Sequence, residues 1–331
     1  MSTLHIGRIR LHHLTPQKRF DCEVDLMITR ESVQSAIFEA IRRGACELSP
    51  DVKAAFQEAC RREPSERSKQ AFATTMQSLE ESAALRHPLC PDTGWPLFFC
   101  KVGNEARIDG GILALEETSR EMIAKATLAG YLRSTMKHPL TGYDPGTNVG
   151  ANVPGFTYQF VPGDDLQITY VAKGGGSECF GGTRYRVVAF ADGLVGIKKT
   201  VIDWYIAASR AGAICPPSVL GVGVGGTADI ATRLAKEAAT LRVIGSRHPD
   251  SEIAQIEAAL TSAINSLDIG PMGAGGKTSV FGVNIEYSFT HIAGIAVAMS
   301  ANCWIARRAT VKLHSDGRAE ALNEPNWFGG R

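Results

Sequence analysis

The chain has 331 residues, enough for one large domain or two ordinary ones. Hydrophobic residues make up 44% and charged residues 21%, values of a globular protein and not of a disordered one. A formal net charge of +1 excludes a broad basic surface for nucleic acid and an acidic interaction tail.

Residues 1–30 read as an N-terminal extension with partial alternation ("IGRIRLHHL") and no motif. The first ten residues lack the apolar stretch of a secretion signal, so a cytoplasmic location is expected. From 31 to about 85 the pattern is helical, with Val33, Ile37, Ala40 and Ile41 on one face and a break at Pro64. "PLFFCKVG" predicts a buried strand, on which Cys100 is ordinary packing, and "LALEETSREMIAKATLAGYLR" predicts an amphipathic helix. A loop follows, then "FTYQFVPGDDLQITYVAKGGGS", two strands joined by a Pro-Gly-Asp turn and ended by three glycines. "VGIKKTVIDWYIAASRAG" predicts a helix with Ile197, Val201, Tyr205 and Ala208 inward and Gly212 at its C-terminal end. "AICPPSVLGVGVGGTADIATRLAKEAATL" gives a strand, glycines and a helix; 251–267 is a further helix, and the remainder reads as several strands. The run "HIAGIAVAMSANCWIA" is too short to cross a membrane and contains Asn302. The expected fold is a mixed α/β (α+β) unit over 31–331, with a helical front section packed on a mixed-sheet domain.

Several motifs invite a chemical reading. Gly221, Gly223 and Gly226 form G-x-G-x-x-G between a strand and a helix, the context of a dinucleotide fingerprint, and so carry an NAD-binding Rossmann dehydrogenase as the alternative from a different class. Against it, the motif lies two-thirds along the chain, and the region some 20 residues on is mainly basic. "GPMGAGGKTS" misses the P-loop pattern because Pro271 stands where glycine is required. No H-E-x-x-H occurs, so a zinc hydrolase is not supported. "AKGGGSECFGG" is either a tight turn or a place where backbone approaches a ligand.

Eight cysteines include no C-x-x-C pair, which excludes zinc ribbons, thioredoxin-type and ferredoxin-type sites. Cys90 in "LCPDTG", Cys215 in "ICPPS" and Cys303 in "SANCW" each lie at or near the end of an apolar segment, and two precede proline. Three thiolates are one short of the usual set for a cubane cluster, and a missing ligand leaves one iron open. Composition does not license that step, since scattered cysteines are usually unrelated packing residues.

The order and spacing of "LCPDTGWPLFF", "GTNVG", "AKGGGSE", "CPPSVLGVGVGGTADIATRLAKEA", "IGSRHPD", "IGPMGAGGKTSVFGVNIE" and "SANCWIARRA" do. From about 31 to 313 the chain resembles the α half of the class I, iron–sulfur fumarate hydratase and L-tartrate dehydratase family. The resemblance implies that family's mixed α/β N-terminal domain and a [4Fe-4S] cluster held by Cys90, Cys215 and Cys303. It implies a catalytic Asp92 close to the substrate and substrate contacts from Arg133, His291 and the Gly176 backbone. On the residues alone, Asp92 reads first as a turn residue, Arg133 as a surface group and His291 as a core histidine. Pro91 and "GGGSEC" depart from the fumarase pattern, which leaves Cys179 as a competing ligand. The family's second half, with its R-D-x-A-H stretch, is not seen in the 28 residues after Cys303. A separate β subunit is therefore expected as partner, in a heterodimer or α2β2 assembly, with a small dicarboxylate as substrate and no nucleic acid or membrane. Fumarate hydration to malate is the first expectation, L-tartrate or mesaconate the alternatives within the same chemistry, and a non-catalytic iron–sulfur sensor a further one.

Overall fold

The computed structural model describes residues 27–328. All of the expected N-terminal extension before residue 27 therefore lies outside the described residues. The last residues of that extension are already part of the fold: Ile28 is buried and bridged to Ile108, and the Thr29 hydroxyl accepts from the Ser32 amide to cap the first helix.

The helical front section is three helices, not one pattern broken once. Helix α1 (Arg30–Cys46) buries Val33, Ile37, Ala40 and Ile41 against Phe98, Tyr170 and Val311 of a sheet, the face the 3–4 spacing predicts. Helices α2 (Pro50–Arg62) and α3 (Glu66–Ala84) form a hairpin locked by an edge-on Phe56–Phe72 pair. Proline at the first turn starts α2, where its missing N–H has no helical partner to lose.

Strands β1 (Trp95–Gly103), β2 (Gly155–Val161), β3 (Leu166–Lys173), β8 (Arg308–Leu313) and β9 (Ala319–Leu322) make a five-stranded sheet in the order β2-β1-β3-β8-β9. Helix α4 (Gly111–Leu128) and α1 share its core. The Pro-Gly-Asp turn does not close a hairpin. Strand β1 inserts between β2 and β3, parallel to one and antiparallel to the other, with Phe99 opposite both Thr157 and Thr169. The apolar β1 is buried along most of its length and takes partners on both edges.

The second sheet runs β4-β7-β5-β6, from β4 (Thr183–Val188), β5 (Ser218–Val224), β6 (Val280–Tyr287) and β7 (Ile295–Asn302). Helices α6 (Gly193–Arg210) and α8 (Ser251–Asn265) cover one face, where Val201, Tyr205 and Leu260 meet Leu220, Val222 and Met299. Helix α7 (Ala228–Leu241) covers the other. Alternation along β5 sends Leu220, Val222 and Val224 to the first face and Gly221 and Gly223 to the second. A Cβ on either glycine would come within 1.9 Å of a carbonyl oxygen of α7. These two glycines sit inside the strand and let the helix approach it. They do not form a phosphate-binding turn, and β5 is flanked by an antiparallel strand, so the Rossmann alternative is corrected.

Candidate active site

The chain passes between the two sheets twice, and the site forms where it does. Strand β3 leads through the short helix α5 (Gly175–Cys179) to β4, and β7 leads through 303–307 to β8. Two further segments reach the same seam, 88–94 ahead of β1 and 213–217 ahead of β5.

Sheet register brings Cys215 and Cys303 together. Val219 on β5 faces Asn302 on β7, so the residues just outside that rung share one end of the sheet. The Trp304 amide donates to the Cys215 carbonyl at 3.1 Å and ties the two turns. The thiols are hydrogen-bonded: Cys215 is raised and Cys303 lowered, the Cys215 thiol donating to the Cys303 sulfur. Cys90 joins them through a small apolar cluster of Leu79, Leu89, Trp304 and Ile305, and the Leu89 amide donates to the Ala45 carbonyl at the end of α1. Cys90 and Asp92 both lie close enough to Cys215 to act on its charge.

Asp92 is at the centre of this group and tied to backbone through both of its oxygens. Oδ1 accepts from the Gly94 amide at 3.1 Å and Oδ2 from the Gly175 amide at 2.7 Å, pinning the "CPDTG" turn to the start of α5. Gly94, at φ +73°, lies so close to the Lys173 carbonyl that a Cβ there would come to 2.4 Å. Gly176 packs on the Ala213 carbonyl, where a Cβ would come to 2.7 Å, which places it beside the Cys215 turn. Arg133 is exposed beyond the end of α4, and its Nη1 donates to the Pro91 carbonyl at 3.0 Å. So the structure gathers Cys90, Cys215, Cys303, Asp92, Gly176 and Arg133.

It does not gather His291. This residue is exposed in the β6–β7 connection, beyond the rungs where Val224 meets Tyr287 and Val297. Cys215 and Cys303 lie past the other end of the same strands, roughly 20 Å away at ~3.3 Å per residue. The twelve residues from His291 to Cys303 are mostly strand β7 itself, so nearness in sequence becomes separation along a strand. The structure therefore places His291 away from this chain's own cysteines. Cys179, the competing ligand, is exposed at the end of α5, whereas the start of that helix faces Cys303.

Two groups escaped the sequence reading. Asn148, in "GTNVG", is buried with a positive φ; its Oδ1 accepts from the Thr135 and Met136 amides and its Nδ2 donates to the Arg133 carbonyl at 2.7 Å. It fixes the backbone that carries Arg133. Lys173, the last residue of β3, is fully buried, with Nζ 2.9 Å from Ser177 Oγ and 3.2 Å from Glu178. Glu178 is held at 2.7 Å by Lys236 as well, and the two lysines overcome burial to keep its carboxyl below the usual range.

Among the described residues no three His, Cys, Asp or Glu side chains could together hold a single metal ion. Sulfurs around one ion would lie about 4 Å apart, given metal–sulfur bonds of ~2.3 Å. The donor set fits an iron–sulfur cluster: three soft sulfurs, with one amide already on each Asp92 oxygen. Gly174 leaves the space, since a Cβ there would lie 3.3, 3.5 and 3.7 Å from Asp92 Oδ2, Ser177 Oγ and Cys303 Sγ.

Residues 34–312 match the family model described as fumarate hydratase (Fumerase). A Methanocaldococcus jannaschii protein named "Putative L(+)-tartrate dehydratase subunit alpha" is 38% identical over 288 residues, 86% of this chain and 99% of that relative. The L(+)-tartrate dehydratase subunit alpha of Escherichia coli strain UTI89 is 35% identical over 262 residues, 79% of this chain and 84% of that relative. Its counterpart in strain K12 is 34% identical over the same length.

Proposed function

Because this chain belongs to the fumarate hydratase (Fumerase) family of hydro-lyases, we propose that it is the α subunit of an iron–sulfur dehydratase whose substrate is L-tartrate. The observation that carries the reading is the meeting of Cys90, Cys215 and Cys303 beside Asp92 and Arg133 at the seam between the sheets. The choice of substrate rests on the names of the tartrate dehydratase relatives. Fumarate hydration is the second reading, favoured by the family's description, and mesaconate belongs to the same chemistry.

In this reading the three cysteines hold a [4Fe-4S] cluster, which when bound supplies an open iron as Lewis acid toward the substrate hydroxyl. Arg133 uses one donor on Pro91 and offers the rest of its fork to a substrate carboxylate. Asp92 holds the Cys90 turn and the α5 backbone at a fixed separation, and Gly176 keeps that backbone bare where the diacid binds. A β subunit supplies the proton-abstracting group and the second carboxylate clamp. It docks beside Arg133, on the loop that also exposes Leu140 and Tyr143.

Anaerobic reconstitution tests this. The chain is expected to take up about four irons. Co-purified with its β subunit, it is expected to convert L-tartrate faster than malate or fumarate, and to be nearly inactive alone. A colourless, iron-free protein would overturn the cluster. Preference for fumarate would select the second reading, and full turnover by the chain alone would remove the partner.

A further inference from the structure

We propose that Lys173 is a positioning residue that sets the reduction potential of the cluster through the Ser177 hydroxyl and Cys303. The inference rests on the cluster reading and assigns a role to a group that the reaction itself does not use.

Lys173 is 0% exposed, at the last position of a fully buried strand. An isolated buried ammonium is costly to maintain, and here it is met on two sides. Nζ donates to Ser177 Oγ at 2.9 Å and faces Glu178 at 3.2 Å. Ser177 is itself buried; its Oγ donates to the Gly174 carbonyl at 2.9 Å and flanks the same point as the Cys303 sulfur, the two lying 3.5 and 3.7 Å from where a Gly174 Cβ would stand. Lys173 thus reaches Cys303 across one hydroxyl. Glu178 has a second cation, since Lys236 holds its other oxygen at 2.7 Å. Burial pushes the Lys173 pKa down, and the Glu178 carboxylate and the Cys303 thiolate oppose that shift.

Net charge and hydrogen bonds to sulfur are among the levers that set an iron–sulfur potential. A cation one hydroxyl away favours the more reduced, more negative cluster, so it raises the potential. Lys173 is a buried cation among the groups acting on Cys303.

The test is a redox titration of the reconstituted αβ holoenzyme followed by EPR. Lys173→Met is expected to shift the midpoint negative, Lys173→Arg to stay near wild type, and Ser177→Ala to shift negative by a smaller amount. Iron content and thermal unfolding accompany each variant. A Lys173→Met protein with full iron and a wild-type midpoint overturns the proposal. Should that variant fail to fold or to load, Ser177→Ala decides alone, an unchanged midpoint counting against the proposal. Failure of the cluster reading is seen separately, as wild-type protein without iron.

Discussion

Cys90 and Cys100 stand ten residues apart with the same side chain and opposite surroundings. Cys100 is on β1 inside the first core, where burial pushes its thiol up to about 12 and keeps it inert. Cys90 is half-buried at the seam, in a turn stiffened by proline and held by Asp92. Cys90→Ser is expected to lose most of the bound iron and all measurable activity. Cys100→Ala is expected to keep its iron and lose about 1–2 kcal/mol to the small cavity it leaves. Iron analysis with urea unfolding checks both, and iron loss in Cys100→Ala alone would reverse the assignment. The cysteines were legible because each sits in a distinctive local run. Lys173 was not: a lysine ending a strand reads as a solvated terminus, and only the packing of α5 and the second sheet over it makes it buried. The separation of His291 from Cys303 was hidden for a related reason, since it depends on the extended strand between them.

Elements show the same division between what is local and what is not. Helix faces and strand positions followed from periodicity, because each needs only its own residues. Pairing does not: the Pro-Gly-Asp turn looks like a hairpin, yet β1, from some 60 residues earlier, takes the place between its strands. The G-x-G-x-x-G run is another case, in which glycine serves close helix–strand packing and not phosphate. Gly223→Ala is therefore expected to destabilise by roughly 3 kcal/mol, because the blocking atoms are backbone of α7 and α7 must move away from β5. Gly282→Ala, on edge strand β6 with no atom within 4 Å of the added Cβ, is the control and is expected to be near neutral. Urea midpoints compare them; equal losses would mean that β-strand glycines here matter for some reason other than close approach.

At the scale of the whole molecule the site belongs to neither sheet. Each sheet has its own core, one with α1 and α4 and one with α6 and α8, and the four segments bearing the site residues run between them. Cys90 comes from the side of the first sheet, Cys215 and Cys303 from the second, and Asp92 already joins the two through Gly175. A cluster held by all three cysteines is then a cross-link between two separately packed halves. Anything bound only by the folded form stabilises it, and the gain falls on the contacts it bridges. Removing the cluster is expected to leave both sheets protected while the seam opens locally, since the β1–β3 and β5–β7 ladders do not pass through it. Amide hydrogen exchange on loaded and stripped protein reads this directly. Protection is expected to fall in 88–94, 174–177, 213–217 and 303–307, and to hold in β1, β3, β5 and β7. Loss spread evenly across both sheets would mean that the cluster supports the fold as a whole. No change at 88–94 would mean that Cys90 is not one of its anchors.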